Sequence, residues 1–109
     1  MTESDAIRLF KCLADKSRLQ ILKSLMVEDM YVERLAERLD LSAPTITFHL
    51  KKLIDAGAVE SQNLLNQGKN IPRESNICIA DYNDDFCTIR CDMISEGILE
   101  RAGATYWLK

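Results

Sequence analysis

The side chains best suited to chemistry lie within one short stretch, SAPTITFHLKK at Ser42–Lys52. Ile46, Leu50, Leu53 and Ile54 recur three and four residues apart, which gathers them on one face of an α-helix and makes that face the buried one. With Ile46 at its centre, Pro44, Thr45, Thr47, Phe48, Lys51 and Lys52 fall on or beside the opposite face. Such a face suits a DNA major groove. Thr45 and Thr47 reach base edges or phosphates, Phe48 and the threonine methyls contact thymine methyl groups, and Lys51 and Lys52 neutralise phosphates. Ser42 and the exposed amides at the helix start add a phosphate site through unsatisfied donors. An ordinary solvated helix face is the competing explanation. His49, the single histidine of the chain, completes the candidate set at the edge of the buried face. A core-edge hydrogen bond or a phosphate contact suits it better than metal ligation.

Positioning that face takes a second helix and a turn. Val32, Leu35, Ala36 and Leu39 form an earlier apolar repeat, and Asp40-Leu41-Ser42 joins it to the helix predicted over Ala43–Ala56. Leu41 points inward, Ser42 accepts from the amides that open the second helix, and Pro44 lies in its first turn, where a missing N–H costs nothing. Ala36 sits where the helices cross closely, and Ile46 anchors the second one ten residues later. The pattern is a helix-turn-helix. Asp40 stands where many such units carry glycine, and aspartate tolerates the left-handed conformation better than most residues. Gly57 ends the second helix, and Ala58-Val59-Glu60-Ser61 follows as the first strand of a wing.

Composition bounds the rest. A chain of 109 residues with 47% hydrophobic content forms one ordinary domain or two very small ones. No apolar run spans a membrane and no secretory signal opens the chain, so a cytoplasmic protein without membrane contact is expected. Cys12, Cys78, Cys87 and Cys91 are too few for a disulfide framework. Net charge is −3, with nine Lys/Arg against ten Asp/Glu in residues 1–61 and five against seven in 62–109. Neither half is basic, so DNA affinity needs a local arrangement of positive charge and will be strongly salt-sensitive.

Ahead of the helix-turn-helix, Ile7, Phe10, Leu13 and Ala14, then Leu19, Ile21, Leu22 and Leu25, predict two supporting helices. Ser4 or Asp5 caps the first, the second starts near Ser17, and Phe10 and Leu22 are expected in the core. LFKCLADKSRLQILKSL at Leu9–Leu25 and VERLAERLDLSAPTITFHLKKLIDAGAVES at Val32–Ser61 together resemble the arsenical-repressor (ArsR) family of bacterial winged-helix regulators. The resemblance implies a cytoplasmic transcription regulator, commonly a homodimeric repressor that an inducer releases from its operator. The family's recurring metal sites have no counterpart here: the last-helix zinc site needs further histidines, and Glu28–Glu33, where the metal-sensing C-x-C falls, holds no thiol. No cofactor or resident metal is expected.

The carboxyl half is read more coarsely. Ser61–Asn70 is a linker or wing tip. Arg73–Tyr82 fits either a helix or a strand with Ile77 and Ile79 alternating. Phe86, Ile89, Met93 and Ile94 predict a helix over Asp84–Glu96 ended by Gly97, with strands at Ile98–Arg101 and Thr105–Leu108. LIDAGAVES at Leu53–Ser61 recurs as MISEGILER at Met93–Arg101, as though a winged-helix ending were written twice. Gly68–Trp107 resembles an uncharacterised domain family found appended to ArsR-type regulators, with its D-F-C-T-[IL]-R run and terminal Y-W. Cys91 replaces a usual arginine, and the first helix has little chain to form it.

The last helix is a poor groove reader, because Asp84, Asp85, Asp92 and Glu96 oppose phosphates and Arg90 is its only cation. Packing against another subunit or the first unit suits it better, and Tyr106 and Trp107 pack on the wing or anchor an interface. Cys87 and Cys91, four apart, share a helix face open to a soft metal or an oxidant, but two thiols are too few for a closed site. Cysteine as an apolar filler is favoured.

The expected fold is therefore mainly α with small β wings: a winged helix-turn-helix over 1–61, with a shortened winged-helix-like unit over 62–109. The alternative is one ArsR-like domain over 1–109, with a long wing at 58–80 and a final dimerising helix. The expected function is sequence-specific recognition of double-stranded DNA by a homodimeric repressor. A winged-helix module that binds a protein partner, with weak or no DNA affinity, is the alternative, and nothing proposes an enzymatic reaction. No motif identifies an operator or an inducer.

Overall fold

The computed structural model describes residues 2–61, 71, 75–81 and 83–100. Their elements run α1 Glu3–Leu13, α2 Lys16–Val27, β1 Met30–Tyr31, α3 Val32–Leu39, α4 Ala43–Asp55, β2 Val59–Ser61, β3 Asn76–Ile79 and α5 Asp84–Ser95. The fold is mainly helical with a small antiparallel wing, as a winged helix-turn-helix requires.

Local chemistry sets the helix starts. Asp15 accepts from the Arg18 amide at 3.0 Å to open α2, Ser42 from the Thr45 amide at 3.3 Å to open α4, and Asn83 from the Phe86 amide at 3.1 Å to open α5. Each side chain satisfies an amide the helix cannot. At α1 the cap is Thr2, which accepts from the Asp5 amide at 3.1 Å, and not Ser4 or Asp5 as expected. The helix starts earlier and leaves Glu3 and Asp5 in its first turn, at the positive end of its dipole.

The turn between α3 and α4 is left-handed at Asp40, with φ 55° and ψ 47°, the conformation aspartate was expected to accept. The Leu41 amide donates to the Ala36 carbonyl at 3.0 Å and closes the corner. Gly57, at φ +79°, carries the chain out of α4 into the wing.

One core joins all five helices and the sheet. Ile21, Leu22, Val32, Leu35, Ile46, Leu50, Leu53, Val59, Ile77 and Phe86 are fully buried in it. The segment left open between helix and strand is a strand. β3 lies between β1 and β2, antiparallel to both, with Met30 opposite Ile77 and Val59 opposite Ile79. β1 lies between α2 and α3, in a stretch with no strand signal of its own. Two residues are too few to show alternation, and only their partner on β3 makes them a strand.

Three further expectations need correction. Phe10, placed in the core from its spacing, is 56% exposed, while Leu9 and Cys12 face inward. Both faces of α1 carry apolar residues, and the approach of α2 decides which one is covered. Ile98 and Leu99 form no strand: their amides return to the Met93 carbonyl at 2.9 and 3.2 Å, and Leu99 turns into the core. That bend is the C-terminal closure of α5, with Gly97 at φ +79°. Cys91 is exposed and no filler, although Cys12 is buried. Of Ser61–Asn70, expected as a linker or wing tip, Ser61 ends β2 and 62–70 lie outside the described residues, as do the final strand at Thr105–Leu108 and the aromatic pair Tyr106 and Trp107.

Candidate nucleic-acid interface

α4 divides cleanly by face. Ile46, Leu50 and Leu53 are fully buried, while Pro44, Phe48, Lys51 and Lys52 are exposed and Thr45 and Thr47 half-buried. Ser42 heads this face, its Oγ 2.8 Å from the Thr45 hydroxyl. The Lys52 ammonium lies 5.0 Å from the centroid of the Phe48 ring, within cation–π range. Together these side chains form a convex ridge of small polar, aromatic and cationic groups on a helix held from behind by a packed core.

His49 does not belong to that ridge. It is only 9% exposed, and Arg18 donates from Nη1 to its Nδ1 at 3.1 Å. Arg18 also donates from Nε to the carbonyl of Cys12, and Asp15 lies 4.0 Å from both Arg18 and His49. The Arg18 amide bonded to it, with the Arg18 guanidinium beside it, holds the Asp15 carboxyl below its ordinary range. His49 thus takes the core-edge role and locks α4 to the α1–α2 corner. Spacing placed it at the face's boundary, and only the partner 31 residues earlier decided which side it took.

Sequence reading also passed over a basic groove. Arg8, Lys11 and Cys12 of α1, Arg18 of α2 and Lys52 and Asp55 of α4 line an opening of about 250 Å³. Burial pushes the Cys12 thiol up, and Arg18 and Lys52 oppose that shift. The signal available in sequence was Arg8 and Lys11, three apart on one helix face.

Elsewhere, Cys87 donates to the Asp81 carbonyl at 3.5 Å, and Arg90 is ion-paired with Asp81 at 2.9 Å. Among the described residues, no group of three or more His, Cys, Asp and Glu side chains is arranged to hold a metal. No described helix is long and apolar enough to cross a membrane.

Comparison with known proteins agrees with the fold. Residues 15–61 match the arsR family of bacterial regulatory proteins. Residues 49–108 match a family described as uncharacterized proteins conserved in bacteria, DUF2087. The HTH-type transcriptional regulator KmtR of Mycobacterium tuberculosis is 39% identical over 56 residues, covering 51% of this chain and 43% of its own length. The chain therefore spans less than half of that curated relative. The homodimeric winged helix-turn-helix DNA-binding domain Mb0332 of Mycobacterium bovis superposes with a TM-score of 0.60 at 24% identity, covering 86% of this chain and 84% of that one. The transcriptional repressor BigR of Xylella fastidiosa gives 0.63 at 16% identity, covering 84% and 82%. The second family match takes in more than half of the residues. With residues 15–61 similar to the arsR helix-turn-helix, the chain belongs to the conserved bacterial family DUF2087.

Proposed function

We propose that the protein is a sequence-specific DNA-binding transcriptional regulator, a repressor, whose homodimer reads the major groove with α4. The observation that carries this reading is the outward face of α4, where Pro44, Phe48, Lys51 and Lys52 are exposed and Thr45 and Thr47 half-exposed behind the Ser42 cap. In the docked state the threonines and Phe48 meet base edges and thymine methyls, and the lysines meet phosphates. His49 contributes by fixing α4, without touching DNA.

A dimer follows from the short reach of one helix, which reads too few bases to single out an operator. Ile7 and Phe10, three apart and both exposed on α1, give a second copy an apolar stripe to cover. β2 and β3 act as one wing, and α5 as a helix of the same single ArsR-like unit. The pairing of Val59 with Ile79 and the burial of Phe86 and Leu99 in the common core support that organisation over two separate units.

Duplex DNA selected from a random pool supplies the test. Lys51→Ala with Lys52→Ala should lower affinity and flatten its salt dependence by about two in log–log slope. Phe10→Glu should shift sedimentation from dimer to monomer. Equal binding by the double-lysine variant at every salt concentration refutes the docking of α4. Affinity for a protein partner with no salt-dependent DNA binding favours the interaction-module role.

A further inference from the structure

The groove beside α4 concentrates positive charge in a protein that has none to spare. Net charge is −3, yet Arg8, Lys11, Arg18 and Lys52 converge from three helices on one opening, with Asp55 as the carboxylate that lines it. Such a local excess is what a phosphate contact needs when the overall field is repulsive.

We propose that this groove holds a backbone phosphate of duplex DNA, so that Arg8 and Lys11 make α1 part of the DNA interface. The inference rests on the reading that α4 docks into the major groove and extends it to a helix which sequence motifs assign only to support.

Three observations argue for this occupant. Lys52 lines the groove and also lies over the Phe48 ring on the outward face of α4, so groove and ridge form one continuous surface. Arg18 is rigidly held at its floor by the Cys12 carbonyl and His49, with its side chain only 12% exposed. Its charge is therefore fixed before any ligand arrives. Arg8 and Lys11 are exposed on the rim and free to close on an anion, the arrangement in which a phosphate gains two or more charge-assisted hydrogen bonds.

The test is fluorescence anisotropy with the full chain and a selected duplex, across a salt series. Arg8→Gln with Lys11→Gln should weaken binding on the order of tenfold at low salt and lower the log–log salt slope by about one to two. Lys23→Gln, on α2 away from the groove, should change neither, and thermal melts should be alike because all three side chains are exposed. Wild-type affinity and slope in the Arg8/Lys11 variant, alongside lost binding in the Lys51/Lys52 variant, overturn the groove assignment while sparing α4. Absence of duplex binding by the unmodified chain overturns both. A tripolyphosphate titration followed by amide NMR separates the remaining source: saturable shifts at Arg8 and Lys11 with an unchanged DNA slope mark a free-phosphate site and overturn the proposal.

Discussion

Arg18 donates from Nη1 to Nδ1 of His49 at 3.1 Å, and this single bond joins the start of α2 to the middle of α4. Arginine has no acceptor, so Nδ1 carries the lone pair and the ring proton sits on Nε2. The same guanidinium holds the Cys12 carbonyl, so three elements meet on one side chain.

Removing that side chain leaves a nearly buried imidazole nitrogen and a carbonyl without their donor. Arg18→Met should destabilise the fold by about 1–3 kcal/mol in urea unfolding. Arg18→Lys should restore little, because an ammonium cannot serve both acceptors in the fixed fork of a guanidinium. Full stability in the lysine variant would show that charge alone matters.

Gly57 and Gly97 have the same backbone angle, φ +79°, but different surroundings. A Cβ at Gly57 collides with the side-chain amide of Asn83, whereas one at Gly97 meets nothing within 4 Å. Asn83 also donates to the Gly57 carbonyl at 3.2 Å while capping α5. Gly97→Ala should therefore cost only the left-handed penalty of about 1–2 kcal/mol. Gly57→Ala should cost clearly more, and equal losses in calorimetry would refute the clash.

Acid should weaken the α1–α2 corner. The Asp15 carboxyl titrates below its ordinary value of 3.8 in the folded chain, so its contribution is full above that value and is lost as pH falls through the folded pKa. Asp15→Asn keeps a capping oxygen but no charge. The stability gap between wild type and this variant should shrink as pH drops from 5 toward about 2. A gap that stays constant would mean the charge is irrelevant.

Three of the four thiols should differ sharply in reactivity. Cys91 is exposed and Cys12 buried, while burial and the Glu60 carboxylate, 3.5 Å from its sulfur, push Cys78 up to about 11. The thiolate of Cys78 is therefore scarce at pH 8, and alkylation should reach Cys91 well before Cys78 or Cys12. Glu60→Ala should speed labelling of Cys78 several-fold. Mass spectrometry after short iodoacetamide pulses reads both outcomes.

Local order alone determined much of this molecule. The two apolar repeats around Asp40-Leu41-Ser42, the Ser42 cap, the left-handed Asp40 and the outward face of α4 all follow from contacts within a few residues, where helical periodicity and capping chemistry act. The helix over Asp84–Ser95 was legible for the same reason. Tertiary structure decided what depends on distant partners. Met30 and Tyr31 are a strand because Asn76 and Ile77 lie beside them. Phe10 is outside because α2 covers the other face of α1, and His49 turns inward because Arg18 is there to bond it. The basic groove exists only where three helices bring their cations together, since charges far apart in the chain have no common field until folding sets the distance between them.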